Sequence, residues 1–360
     1  MTNDRPYAPL IRPLGAPHRR PWSKKTGPTV AEYLTGWLTG RQALRPSTRL
    51  AYEIHLRRYL LPHLGHLPLT SLTVDDVQEM YRDIADTAPS SGQPVGPATV
   101  RRVHATLMSA LGSAVRRGLL GRNPAAFVEL PRAPYPRMRV WTAAQLAEFL
   151  DFVGQDRLHP LFLLLALTGM RRGEAVGLRW VDVDLDQGVL RVEQQIVAVA
   201  GERHVGPPKS ANGRRTVALP ARLVEALRWH GAQQRLERWA AGRDWVETGL
   251  VFTTGLGEAL NPGQVSRHFE RRVTASGLPP IRLHDLRHTS ASLGLASGET
   301  LLEVSRRLGH SSITITADVY SHIAPATARQ SAERLGRLID PDSVRHGRLT
   351  PTDVNRPRPR

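Results

Sequence analysis

The chain has 360 residues, 41% hydrophobic and 22% charged, enough for two folded domains with a core each and unlike the composition of a disordered chain. It has no cysteine, which excludes disulfides, thiol catalysis and thiolate metal sites, and no run approaching the ~18 apolar residues of a membrane helix, so a soluble cytoplasmic protein without membrane contact is expected. The 49 Lys and Arg against 32 Asp and Glu leave a formal net charge of +17, a field that attracts polyanions, nucleic acid first among them. A coding bias toward Arg would change which cation is used but not this surplus.

Residues 1–27 are rich in Pro and basic side chains, with no apolar period, and read as a flexible basic arm. From Thr29 helical spacing dominates. Val30, Tyr33, Leu34, Trp37 and Leu38 form one run, and Pro46-Ser47 opens a second that carries Tyr52, Leu56, Tyr59 and Leu60. A third helix is expected from Thr73. A fourth runs from about Pro97 to Arg117, with Val100, Val103, Leu107, Ala110, Leu111 and Ala114 on one stripe and Arg101, Arg102, Arg116 and Arg117 off it. Residues 28–128 are therefore read as a helical domain with a basic outer face, and those four arginines as candidate DNA contacts. The prolines of residues 129–140 mark a linker.

Residues 141–340 form the second expected domain. Thr142 and Gln145 make a capping box, Leu161 to Leu167 a buried helix, and Gly169 its stop. Strand-like sequence follows at Val181 to Leu185, Val189 to Val199 and Thr216 to Leu219. Helices resume at about Ala221–Ala241, Asn261–Ala275, His284–Ala296, Leu301–Leu308 and Pro325–Leu338, and residues 341–360 read as a disordered tail. The expected fold is mainly α with a small antiparallel β-sheet. Trp37, Trp180 and Trp229 are assigned to core packing.

Two counts point at chemistry. Tyr320 is the only one of seven tyrosines within residues 141–340, and Lys209 is the only lysine after Lys25, against 46 arginines. Where charge alone matters this chain uses Arg, so one internal Lys suggests a group that must titrate. Around these residues stand Thr168-Gly169-Met170-Arg171-Arg172-Gly173-Glu174, Pro208-Lys209-Ser210, His284-Asp285-Leu286-Arg287-His288, Leu308-Gly309-His310 and Tyr320-Ser321-His322. Together, and in this order, they resemble the catalytic domain of the tyrosine recombinase (integrase) family. Pro46-Ser47-Thr48 through Leu64-Gly65-His66-Leu67 and Leu72-Thr73 resemble that family's helical, SAM-like core-binding domain, so the likeness spans roughly residues 29–340.

The resemblance implies a site-specific recombinase that cleaves and rejoins duplex DNA through a 3′-phosphotyrosyl intermediate, integrating or excising a mobile element. Tyr320 would be the nucleophile, with Arg171 and Arg287 as guanidinium forks on the phosphate oxygens. His284 would take the tyrosine proton, His310 would bond the phosphate, and Lys209 would protonate the leaving 5′ oxygen. No cofactor or metal is implied. The implied partners are double-stranded DNA attachment sites, three further copies in a homotetramer on synapsed DNA, and an accessory DNA-bending or excision factor, with the protein nucleoid-associated when bound. Arg214 and Arg215 join the candidate DNA contacts. Glu174 and Asp182 are assigned to anchoring, and His288 and His322 to structural roles.

Rival readings are weaker. His284 and His288 have the i, i+4 spacing of a zinc helix, but Asp285 stands where such a motif has its Glu. Gly255-Leu256-Gly257 lacks the rest of a dinucleotide loop and reads as a turn. Three alternatives within the resemblance are a Xer-like chromosome dimer resolvase, a strand-passing type IB topoisomerase relative and a catalytically silent DNA-binding regulator. The helical first domain disfavours the topoisomerase, and retention of every chemical group disfavours the silent regulator.

Overall fold

The computed structural model describes residues 27–86, 95–132, 139–310 and 312. The chain divides into two compact units with the boundary between Arg137 and Met138, and residues 198–202 group with the first. Among the described residues no helix is long and apolar enough to cross a membrane.

In the first unit, α1 (Val30–Thr39) starts where Thr29 and Glu32 cap each other's backbone N–H, and it buries Val30, Tyr33, Leu34, Trp37 and Leu38. α2 (Pro46–His55) runs through a π turn, Leu56–Leu60, into α3 (Leu61–Leu64). There Leu61 N–H reaches back five residues to the Leu56 carbonyl, a widened turn immediately before Pro62, which has no N–H to give. α4 (Val74–Asp86) is capped by Thr73 and Asp76, and α5 (Pro97–Arg116) lays the predicted apolar stripe on the core. Tyr33 donates from its hydroxyl to the Ala110 carbonyl at 2.7 Å, tying α1 to α5 inside that core.

In the second unit, α6 (Ala143–Phe152) opens on the predicted Thr142–Gln145 box. α7 (His159–Thr168) is buried along almost its whole length and stops at Gly169, whose φ of 64° is the left-handed turn that glycine adopts without strain. α8 (Arg172–Val176) follows. The first sheet orders β1 (Val183–Asp184), β2 (Val189–Val192) and β5 (Arg215–Ala218), all antiparallel, with Leu190 opposite Val183 on one side and Val217 on the other. The second sheet is the hairpin of β3 (Gln195–Val199) and β4 (Glu202–Gly206), whose tip is the 198–202 segment counted with the first unit.

The strand expected over residues 189–199 is thus two strands in two sheets. After Val192 the chain is drawn down onto α8. A methyl group at Gly173 would lie 2.8 Å from the Ile196 carbonyl, one at Gly177 would lie 3.0 Å from Gln195 Cα, and Gln194 donates to the Gly177 carbonyl at 2.9 Å. This close backbone approach requires those two glycines and breaks the strand. Residues 180–182 form a 3₁₀ turn instead of strand.

α9 (Ala221–Ala241), α10 (Pro262–Ser276), α11 (Asp285–Ala296) and α12 (Leu301–Leu308) complete the described elements. Trp141, Phe149, Phe162 and Phe269 pack with ring centroids 5.0–6.1 Å apart at the centre of the unit. Trp229, expected in the core, is 56% exposed on the outer face of α9, because the inner face is filled by Leu223, Leu227, His230 and Gln234. Gly257, with φ of 80°, forms the expected tight turn after Thr254.

Candidate active site

Three chain segments meet at one place in the second unit. The first is the α7–α8 junction. Arg171 leads into α8 with extended backbone, its N–H and its Nη1 both donating to the Glu174 carboxylate, at 3.0 and 2.8 Å. Its Nη2 donates to the Gly309 carbonyl at 3.1 Å. Glu174 is fully buried and also receives Arg215 Nη2 at 2.9 Å. Burial pushes its carboxyl pKa up, but Arg215 and Arg171 outweigh burial and hold it below the ordinary range.

The second segment is the start of α11. Arg287 is buried and donates from Nη1 to the Gly169 carbonyl at 2.7 Å, so the helix stop of α7 also fixes the second guanidinium. His284 precedes the helix, one turn before His288, with the two rings edge-on at 5.3 Å. His284 is exposed, yet its pKa falls to about 4, chiefly through withdrawal of the imidazole from water and then through the neighbouring His288 and Arg287. Asp285 is held by Arg282, which donates to its carboxylate from Nε at 3.0 Å and Nη2 at 2.7 Å.

The third segment is the end of α12. Gly309 stops that helix with φ of 68°, and His310 follows. Withdrawal from water, then Arg287 and Arg171, lower its pKa to about 4. Both imidazoles are therefore neutral at pH 7 in the DNA-free protein, able to accept a proton or to share a hydrogen bond with an incoming anion.

Lys209 lies on the exposed turn between β4 and β5. Asn212 of that turn donates to the His310 carbonyl at 3.2 Å, which seats the turn beside the other groups. Of the candidate catalytic residues, Arg171, Arg287, His284 and His310 are brought together and Lys209 stands on the adjoining turn; Tyr320, with His322 and the Pro325–Leu338 helix, lies outside the described residues.

Arg101, Arg102 and Arg116 are exposed on α5 and Arg117 is exposed just after it, Arg101 donating to the Pro131 carbonyl. Arg214 is exposed and pairs with Glu193 at 3.4 Å. Arg215, grouped with these as a candidate DNA contact, is instead turned inward with its side chain 7% exposed. Arg214 lies just before β5 and meets solvent, while Arg215, the first residue of the strand, is drawn in by buried Glu174. Asn212, and Arg307, which donates from Nη1 to Ser290 Oγ at 2.8 Å and whose carbonyl accepts Arg215 Nε at 2.6 Å, carry no sequence signal of a place at the site, because only the folded contacts give them one.

The description "Phage integrase family" matches residues 139–327, more than half of the chain. The chain belongs to this family. Its phage integrase domain is preceded by a match to "Phage integrase, N-terminal SAM-like domain" at residues 29–84. The chain is 30% identical over 332 residues to a "Tyrosine recombinase XerC-like" of Caldanaerobacter subterraneus subsp. tengcongensis, covering 86% of this chain and 83% of that protein. It is 32% identical over 304 residues to an "Integrase" of Streptomyces ambofaciens, covering 82% and 76%. The phage integrase fold recurs in the Tn1549 transposon integrase solved with transposon right end DNA, with TM-score 0.73, 22% identity and coverage of 86% and 99%. It recurs also in a lambda integrase tetramer bound to a Holliday junction, with TM-score 0.60, 21% identity and coverage of 82% and 78%. This phage integrase is a tyrosine-type recombinase, an enzyme of DNA strand breakage and rejoining.

Proposed function

We propose that the protein integrates or excises a mobile element by cutting and rejoining duplex DNA at attachment sites through a 3′-phosphotyrosyl intermediate on Tyr320. The observation that carries this reading is the convergence of Arg171, Arg287 and His310, with His284 adjacent and the Lys209 turn seated alongside. Two fixed guanidinium groups and a neutral imidazole form a donor set matched to the nonbridging oxygens of one phosphodiester, where charge grows as the nucleophile attacks.

The Tyr320 hydroxyl attacks phosphorus, the proton passes to neutral His284, and the P–O5′ bond breaks. Lys209 gives the leaving 5′ oxygen its proton, so cleavage yields a phosphotyrosyl 3′ end and a free 5′ hydroxyl. Rejoining reverses these steps without cofactor or metal. Residues 28–128 act as the core-binding domain, with Arg101, Arg102, Arg116 and Arg117 on the DNA backbone, and Arg214 serves from the catalytic domain, residues 141–340. Residues 1–27 are the basic arm, 129–140 the linker and 341–360 the tail. The working assembly is a homotetramer on synapsed DNA in the cytoplasm, with an accessory DNA-bending or excision factor setting direction. The Streptomyces integrase and the Tn1549 and lambda complexes support a mobile-element role. The XerC-like relative favours a second reading, chromosome dimer resolution.

The test uses nicked suicide duplexes built from the DNA flanking the gene. Wild-type protein should form a covalent adduct at a repeat bounding the element, and Tyr320→Phe should form none. Adducts at a chromosomal terminus site, with no flanking repeat, would select dimer resolution; no adduct on either DNA refutes the enzymatic reading.

A further inference from the structure

Arg215 opens β5, six residues after Lys209, and its guanidinium reaches three segments of the site. Nη2 donates to Glu174 at 2.9 Å, and Glu174 in turn holds Arg171. Nε donates to the Arg307 carbonyl at 2.6 Å, in the last turn of α12 before His310. Nη1 donates to the Gly213 carbonyl at 2.8 Å, within the Lys209 turn itself.

The turn is pinned on both sides of Lys209. Pro208 is buried against Gly213, where a methyl group would lie 2.5 Å from Pro208 Cβ, and the Ser210 carbonyl accepts the Gly213 N–H at 2.9 Å. A methyl group at Gly309 would lie 2.7 Å from the Asn212 carbonyl and 3.0 Å from Arg215 Nη1, so the turn, Arg215 and the end of α12 are in direct contact. Lys209 itself is exposed, between its two held neighbours, Pro208 and Ser210.

We propose that Arg215 is a positioning residue that locks the Lys209 turn to the Arg171 anchor and the His310 helix end, so that proton delivery to the leaving 5′ oxygen depends on it. Only a guanidinium can serve. It offers five donors in a flat fork and here uses each of its three nitrogens on an acceptor from a different segment, whereas a lysine offers one ammonium point that cannot span them. A misplacement of about 1 Å in a catalytic group costs about 100-fold in rate, so release of the turn is visible in kinetics. The inference rests on the assignment of Lys209 as the acid.

The experiment measures single-turnover cleavage by full-length Arg215→Lys and Arg215→Gln on two suicide duplexes carrying the mapped crossover site. One has an ordinary phosphodiester at the cleaved bond. The other has sulfur in place of the bridging 5′ oxygen, so that P–S cleavage releases a thiolate that needs no proton. Lys209→Ala is run alongside, and noncovalent DNA binding and thermal unfolding of every variant are recorded. Both Arg215 variants should cleave the ordinary bond about 100-fold more slowly and recover at least tenfold on the sulfur substrate, with Arg215→Lys folded and binding DNA as wild type does. Equal loss on the two substrates, or wild-type cleavage by Arg215→Lys, overturns the proposal, as does a Lys variant too unstable to fold, since charge retention would then matter only to the core. If Lys209→Ala gains nothing from sulfur, the acid assignment fails and takes the proposal with it. If Lys209→Ala recovers and the Arg215 variants do not, the acid assignment stands and only the role of Arg215 falls.

Discussion

Glu174→Gln isolates the charge at the centre of the site. The native carboxylate is fully buried and accepts three hydrogen bonds, at 3.0 and 2.8 Å from Arg171 and 2.9 Å from Arg215. Glutamine keeps the volume and one oxygen but leaves the Arg215 guanidinium, 7% exposed, without a counter-charge. Removing one partner of a buried pair costs about 3–5 kcal/mol, and the retained oxygen puts this substitution near 3 kcal/mol. For a domain of this size that is a fall of roughly 6–12 °C in Tm. Arg228→Gln is the matched control. It also removes one charge from an ion pair, with Asp186 at 2.7 Å, but both partners are more than half exposed, so about 0.5 kcal/mol or less is expected. Differential scanning calorimetry at pH 7 reads both. A Glu174→Gln transition within 1 °C of wild type would refute the view that this buried carboxylate organises the two arginines.

Two further outcomes follow. His284 and His310 should titrate near pH 4 by NMR in the DNA-free protein. Because these folded-state values lie below the unfolded value of 6.5, the unfolded chain binds the extra protons, and stability should fall as pH drops from 6.5 toward 4. Midpoints near 6.5 would contradict the packing described. Gly169→Ala should cost about 2 kcal/mol or more in urea unfolding and depress cleavage, because a left-handed Ala costs about 1–2 kcal/mol by itself. Its methyl would in addition lie 2.3 Å from Leu308 Cδ2, displacing the carbonyl that holds Arg287. A fully stable, fully active Gly169→Ala would exclude that coupling.

Much of the fold is legible because short-range rules govern it. The Thr142–Gln145 box, the glycine stop at 169 and the stripe of α5 are fixed by residues within two or three turns of one another. The split of residues 189–199 was not legible, since it depends on Gly173 in α8 and Gly177 just after it, which admit a backbone some twenty residues on. Trp229 was misplaced for a related reason: a tryptophan pattern does not say which face of α9 has room for it.

The sequence alone named the chemistry. One tyrosine and one lysine in a 200-residue stretch stand out by count, since the other cations there are arginines, which do not titrate, and the resemblance of the ordered motifs to the integrase family adds the two arginines and two histidines. The tertiary structure decided which cations face inward. Arg171 and Arg287 are held by carbonyls of Gly309 and Gly169, more than a hundred residues away, and Arg215 sits on a buried carboxylate while Arg214 beside it meets solvent. Composition cannot distinguish those two arginines; the burial of Glu174 and the contact with α12 do.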